Sequence, residues 1–85
     1  MEINKIKKVT IKVNGRDKVV EKEELSYEEV IILAFGSYNP DPNIEYTITY
    51  SKGGNQHKPK GILQKDDSIK AKEGMIFNVT KTDKS

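Results

Sequence analysis

Chemistry needs nucleophiles, acids, bases or metal ligands at workable spacing, and this chain of 85 residues offers few. His57 is its single histidine, in the stretch KGGNQHKPKG, and there is no cysteine. One imidazole without thiolates, and without carboxylates at ligand spacing, does not make a zinc site. A solvated loop residue explains His57 more simply. Asp66-Asp67 before Ser68 has the residue types of a cation or acid–base site. A cation needs further oxygens converging from elsewhere, and acid–base work needs two carboxyls tuned apart in a cleft. A turn with an Asx hydrogen bond accounts for the pair at less cost. Gly53-Gly54 is followed by no helix and so cradles no phosphate. Lys58, Lys60 and Lys65 lie in HKPKGILQK without a nearby aromatic to stack a base. Glu21, Glu23 and Glu24 read as a solvated connection, and Tyr46 and Tyr50 as core or core-rim residues of one strand face. These residues predict no catalytic group, no metal, no cofactor and no nucleic-acid binding: a protein that is not an enzyme.

Composition agrees. Hydrophobic residues make up 34% and charged residues 33% of the chain. A domain of this size buries about 60–65% of its unfolded surface. The core is therefore small, with little material to wall a catalytic cleft. Fifteen basic and thirteen acidic residues interleave to a net charge of +2, a balance that favours solubility over nucleic-acid affinity. MEINKIKK lacks the apolar run of a secretion signal, and VIILAF, the longest apolar run, is too short to span a membrane. One domain over residues 1–85 and a cytoplasmic location are expected.

The elements that would position any site follow from patterning. Val9, Ile11 and Val13 alternate with Thr10 and Lys12, and Asn14-Gly15 then gives a type I′ hairpin signal. The return strand runs from Arg16 to about Glu21; Val20 rather than Val19 is expected to face inward, paired with Ile11. LSYEEVIILAFG reads as a short helix. Ser26 caps it, Glu29 completes a capping box, Leu25 and Val30 form a hydrophobic staple, and Gly36 ends it in the left-handed region. Val30, Leu33 and Ala34 share the face expected to lie on a sheet. Pro40 and Pro42 stop the helix and lead into IEYTITYS, the cleanest strand of the chain. A polar Gly-rich loop, expected to be mobile, then precedes ILQ, a short edge strand. A turn at Asp66-Asp67 is followed by an extended piece through Ile69 and Ala71. The last strand alternates Met75, Phe77 and Val79 against Ile76, Asn78 and Thr80, ending near Thr80. Set in the middle beside the first strand, it buries most apolar surface. The order predicts an α+β β-grasp fold, a mixed sheet of four to five strands with one helix across it. Its core is expected from Val9, Ile11, Val13, Val30, Leu33, Ala34, Ile48, Phe77 and Val79.

VNGR after the first strand, LSYEEVIILAFG, YTITYSKG and KEGMIFNVTKTDKS in this order resemble the bacterial ubiquitin-like proteins of the multi-ubiquitin domain family, across Val9 to Ser85. The resemblance implies a β-grasp modifier akin to ubiquitin. It implies partners as well: an activating-enzyme-like protein, a conjugating-enzyme-like protein, a processing peptidase and target proteins. Some members are linked to defence against phage. By the same resemblance, Thr82, Asp83, Lys84 and Ser85 form a conjugation tail whose terminus is activated with ATP. The exposed sheet face, with Thr47, Thr49, Ile76, Asn78 and Thr80, is where the resemblance implies that a partner binds, with the apolar patch typical of ubiquitin only thinly represented there. Ubiquitin-like modifiers usually end in Gly-Gly, whereas Asp83-Lys84-Ser85 stands here. A longer natural tail, processing by the peptidase, or partners that accept serine would each accommodate this. The competing reading is a β-grasp adaptor that binds by its sheet face and is never conjugated. A single-stranded nucleic-acid binder would need basic and aromatic residues on one face.

Overall fold

The structure, a computed structural model, describes residues 8–21, 24–52 and 60–83. Strands β1 (Val9–Val13) and β2 (Arg16–Val20) form the expected hairpin. Asn14 and Gly15 both take positive φ, 53° and 81°, as a two-residue turn of this hand requires. The two-residue loop sets Ile11 opposite Lys18 and Val9 opposite Val20. The expected Ile11–Val20 pairing is thus corrected by one pair of residues. The inward face is as expected, because that shift is an even number of residues: Val20 is buried and Val19 is 62% exposed.

A three-residue strand β3 (Glu24–Ser26) leads into helix α1 (Tyr27–Phe35). The capping box is complete. Ser26 Oγ accepts from the Glu29 amide at 3.1 Å, and Glu29 Oε1 accepts from the Ser26 amide at 2.9 Å. Gly36, at φ 86°, closes the helix with its N–H donating to the Ile32 carbonyl. The buried residues of α1 are Val30 and Ile31, while Leu33 and Ala34 are only half-buried at the edge of the core. Over nine residues the helix makes little more than two turns, so its crossing angle on the sheet decides which neighbours of Val30 are covered.

Strand β4 (Ile44–Ser51) is long, and β5 (Gly61–Leu63) covers only its Ile48–Tyr50 portion. The brief extended piece is β6 (Ser68–Lys70). It pairs with β3 in a small second sheet that the sequence pattern did not show. Strand β7 (Ile76–Asp83) lies in the centre of the main sheet, whose order is β2-β1-β7-β4-β5. It runs parallel to β1 and antiparallel to β4. This is the ubiquitin-like β-grasp arrangement, a mixed five-stranded sheet with one helix packed across it. Residues Ile11, Val13, Val30, Ile48, Phe77 and Val79 of the expected core are buried. Val9 is half-buried, and Val20, Leu25, Ile31, Tyr46, Leu63 and Met75 join the buried set.

Candidate functional site

Strand β7 carries both candidate sites, since its end leads to the expected tail and its outer face lies at mid-sheet. Its start is fixed by the turn before it. The Gly74 N–H donates to the Thr10 carbonyl at 2.8 Å, and Glu73 Oε1 accepts from the Thr10 amide at 2.8 Å. The Met75 and Phe77 carbonyls then accept from the Lys12 and Asn14 amides at 2.9 and 3.0 Å. At Asn14 the first strand turns away, and its side chain continues the ladder. Asn14 Nδ2 donates to the Val79 carbonyl at 3.1 Å, and Asn14 Oδ1 accepts from the Val79 amide at 2.8 Å. One residue thus serves the positive-φ turn and substitutes for a strand partner.

The sequence places the end of this strand near Thr80, but the ladder runs three residues further. Thr80 pairs with Thr47, Lys81 with Tyr46, Thr82 with Glu45 and Asp83 with Ile44. Thr82 and Asp83 are therefore strand residues, not free tail. Alternating Ile44 and Tyr46 on the partner strand, continuous with the apolar stripe of Ile48 and Tyr50, set the length of this pairing. Lys84 and Ser85 lie outside the described residues, as do Gly53, Gly54, His57 and Lys58 of the polar loop. The expectations of loop mobility and of a solvated His57 fall there too.

The outer face gathers the expected partner-binding residues. Thr47 faces Thr80 and Thr49 faces Asn78 across the β4–β7 ladder, and Ile76 sits opposite Ser51 on one side and Lys12 on the other. Thr47, Asn78 and Thr80 are exposed, whereas Thr49 and Ile76 are half-buried. Two apolar residues missed in the sequence flank this face: Val19 on β2, and Ile62 on β5 opposite Thr49, at 62% and 61% exposure. Val19 was findable from the hairpin parity, because a two-residue loop that buries Val20 must expose Val19. Lys12 and Asp17 form an ion pair here at 2.8 Å, both exposed and so of small energetic weight.

On the helix side, a groove of about 550 Å³ opens between the α1–β4 connection and the end of β5. Tyr27, Tyr38 and Tyr46 line it together with Pro40 and Pro42. Tyr46 is its anchor. Its ring packs on Phe35 and Tyr38 with centroids 6.1 and 5.5 Å away, and its hydroxyl accepts from the Asn39 amide at 3.0 Å. The Tyr27 hydroxyl donates to the Tyr46 carbonyl at 3.3 Å. Burial raises the Tyr27 phenol above its ordinary value, with the neighbouring Tyr38, Tyr46 and Glu45 adding to it. A second, more apolar groove of about 260 Å³ lies between β2 and α1, with Val20, Leu25, Ile32 and Leu33 in its wall. Among the described residues no three His, Asp or Glu side chains gather as a metal would need. Asp66, at φ 73°, and Asp67 lie in the expected turn, which is closed by a backbone bond from the Asp67 amide to the Gln64 carbonyl in place of the expected Asx bond.

The sequence matches the multiubiquitin family over residues 9–83. This chain belongs to that family. No curated protein matches it, and no solved structure does. The matched span starts with β1 and ends with the last residue of β7 in this multiubiquitin domain. It therefore takes in the whole sheet, the helix and the extension of β7 beyond Thr80. Among the described residues of the domain, no helix is long and apolar enough to cross a membrane.

Proposed function

We propose that this domain is a ubiquitin-like protein modifier of a bacterial conjugation pathway, acting in the cytoplasm. The observation that carries the reading is the central, doubly anchored β7 of a multiubiquitin domain, which runs on along β4 past the end of β1 toward the C-terminal residues. In the proposed chemistry the C-terminal carboxylate attacks the α-phosphate of ATP and expels pyrophosphate, leaving an acyl adenylate. A nucleophile on the conjugating-enzyme-like carrier then displaces AMP, and a target protein receives the acyl group. The folded domain is a handle that brings a positioned carboxylate to an activating-enzyme-like protein. The outer face around Thr47, Thr49, Ile76, Asn78 and Thr80 gives that partner its grip. A processing peptidase would set the final terminus, and defence against phage is one setting for such a pathway. The domain itself contributes no catalytic group and binds no nucleic acid in this reading.

A second reading, an adaptor that is never conjugated, gains support from the pairing of Thr82 and Asp83, which holds both residues in the sheet. The two separate cleanly. The naturally processed protein is mixed with ATP and the activating enzyme encoded beside its gene, and adenylate is sought by mass spectrometry. The same protein with its terminal carboxylate converted to an amide is the control. The modifier reading expects adenylate from the first and none from the second. Equal behaviour of the two forms leaves the adaptor.

A further inference from the structure

Past Val79, strand β7 has one side that no strand covers among the described residues. Along this strand the odd-numbered residues turn their backbone groups toward β1, as the Met75 and Phe77 carbonyls show. Val79 keeps the same sense and meets the Asn14 side chain. Lys81 is the next residue of that parity, and β1 has already turned away at Asn14-Gly15. The N–H and C=O of Lys81 therefore point to a side where no strand follows among the described residues. The opposite side is closed, since Thr80 and Thr82 direct their groups to Thr47 and Glu45. Asn14 thus marks the place where the fold's own pairing ends and an unpaired edge begins.

We propose that the Lys81 edge of β7 is a docking site for an extended segment of the activating partner, which adds as a strand in the place that β1 vacates. The inference rests on the modifier reading and gives it a means. Strand addition from Lys81 onward would hold the following residues extended, in the form a narrow active-site channel accepts. The edge matches an extended backbone and little else, because its free groups are a main-chain donor and acceptor on one residue. The charge of Lys81 narrows the occupant further. A second copy of this chain adding antiparallel through the same edge would set Lys81 against Lys81, a like-charge pair that disfavours the contact. A partner segment carrying a carboxylate opposite Lys81 turns that position into an attractive cross-strand pair.

The test reads the Lys81 amide directly. Hydrogen exchange of that amide is followed by NMR in the free protein and with the activating enzyme and ATP, and adenylate is measured in parallel. The proposal expects protection of Lys81 to appear on binding. It also expects Lys81→Pro to weaken binding roughly three- to tenfold, the worth of one backbone hydrogen bond. Proline there removes only the outward N–H and spares the β4 ladder. Lys81→Ala, which keeps the N–H, should lose less. Adenylate formed without protection of Lys81 overturns the docking site and leaves the modifier reading standing. Protection without adenylate keeps the docking site and removes the modifier reading. Wild-type affinity in a folded Lys81→Pro variant likewise overturns the proposal.

Discussion

At Ile76 and Phe77 strand β7 lies between β1 and β4, the Asn14 side chain carries the β1 side on to Val79, and Phe77 and Val79 join Val30, Ile31 and Ile48 in one buried cluster. From Thr80 to Asp83 β4 is the one strand paired with it among the described residues, and every residue is exposed. Both halves have full cross-strand register on one side, so backbone pairing is not what distinguishes them. Apolar burial is. The first half is held by the core. The second is held through Tyr46, whose ring and hydroxyl tie β4 to Phe35, Tyr38 and Asn39. A strand can thus be stable structure at one end and an accessible handle at the other.

The comparison breaks first at Phe77. Fully buried, it should cost about 3–5 kcal/mol on Phe77→Ala, measured by denaturant unfolding. A loss of under about 1 kcal/mol would show that the first half is not core-held. Tyr46→Ala should cost about 2–4 kcal/mol and, unlike the Phe77 change, speed amide exchange at Thr80 and Thr82 more than at Asn78. Uniform acceleration along β7 would deny the separate support of its outer half. Asn14→Asp keeps a residue that tolerates positive φ but loses the donor to the Val79 carbonyl, so about 1–3 kcal/mol should go. An Asn14→Asp protein as stable as the wild type would mean that the side-chain bridge closes nothing.

Tyr27 offers a smaller, pH-dependent test of the same support. Its raised phenol pKa favours the neutral form in the folded state. The stability this contributes is present below the unfolded phenol value of about 10 and is lost as pH rises through the higher folded value. Melting temperature should therefore fall above pH ~10, and Tyr27→Phe should flatten that fall. Smallest of all, Thr82→Ala should change stability by less than about 0.5 kcal/mol, because it leaves the β4 ladder intact on an exposed face.

Much of this architecture was legible in the residues because its signals are local. Asn14-Gly15 sets the turn, Ser26 and Glu29 cap the helix, Gly36 ends it, and the alternation of Ile44 to Tyr50 marks β4 and its inward face. Each acts over a few residues through φ preference, a capping hydrogen bond or side-chain period. The central place of β7 was also within reach, because Met75, Phe77 and Val79 need burial that an edge would not supply. The β3–β6 pair was not legible, since two three-residue strands lying over forty residues apart carry no periodicity of their own. The continuation of β7 from Thr80 to Asp83 escaped for a related reason. Its residues are polar and say nothing about pairing, and the apolar partners that hold the ladder there, Ile44 and Tyr46, are on another strand. Sequence by itself determined the strands of the main sheet and their inward faces, the helix with its caps, and the family. Tertiary structure alone decided where each ladder stops, because an edge is defined by the absence of a neighbour. Asn14 meets Val79 across 65 residues of chain, and only the folded sheet shows that the pairing ends there.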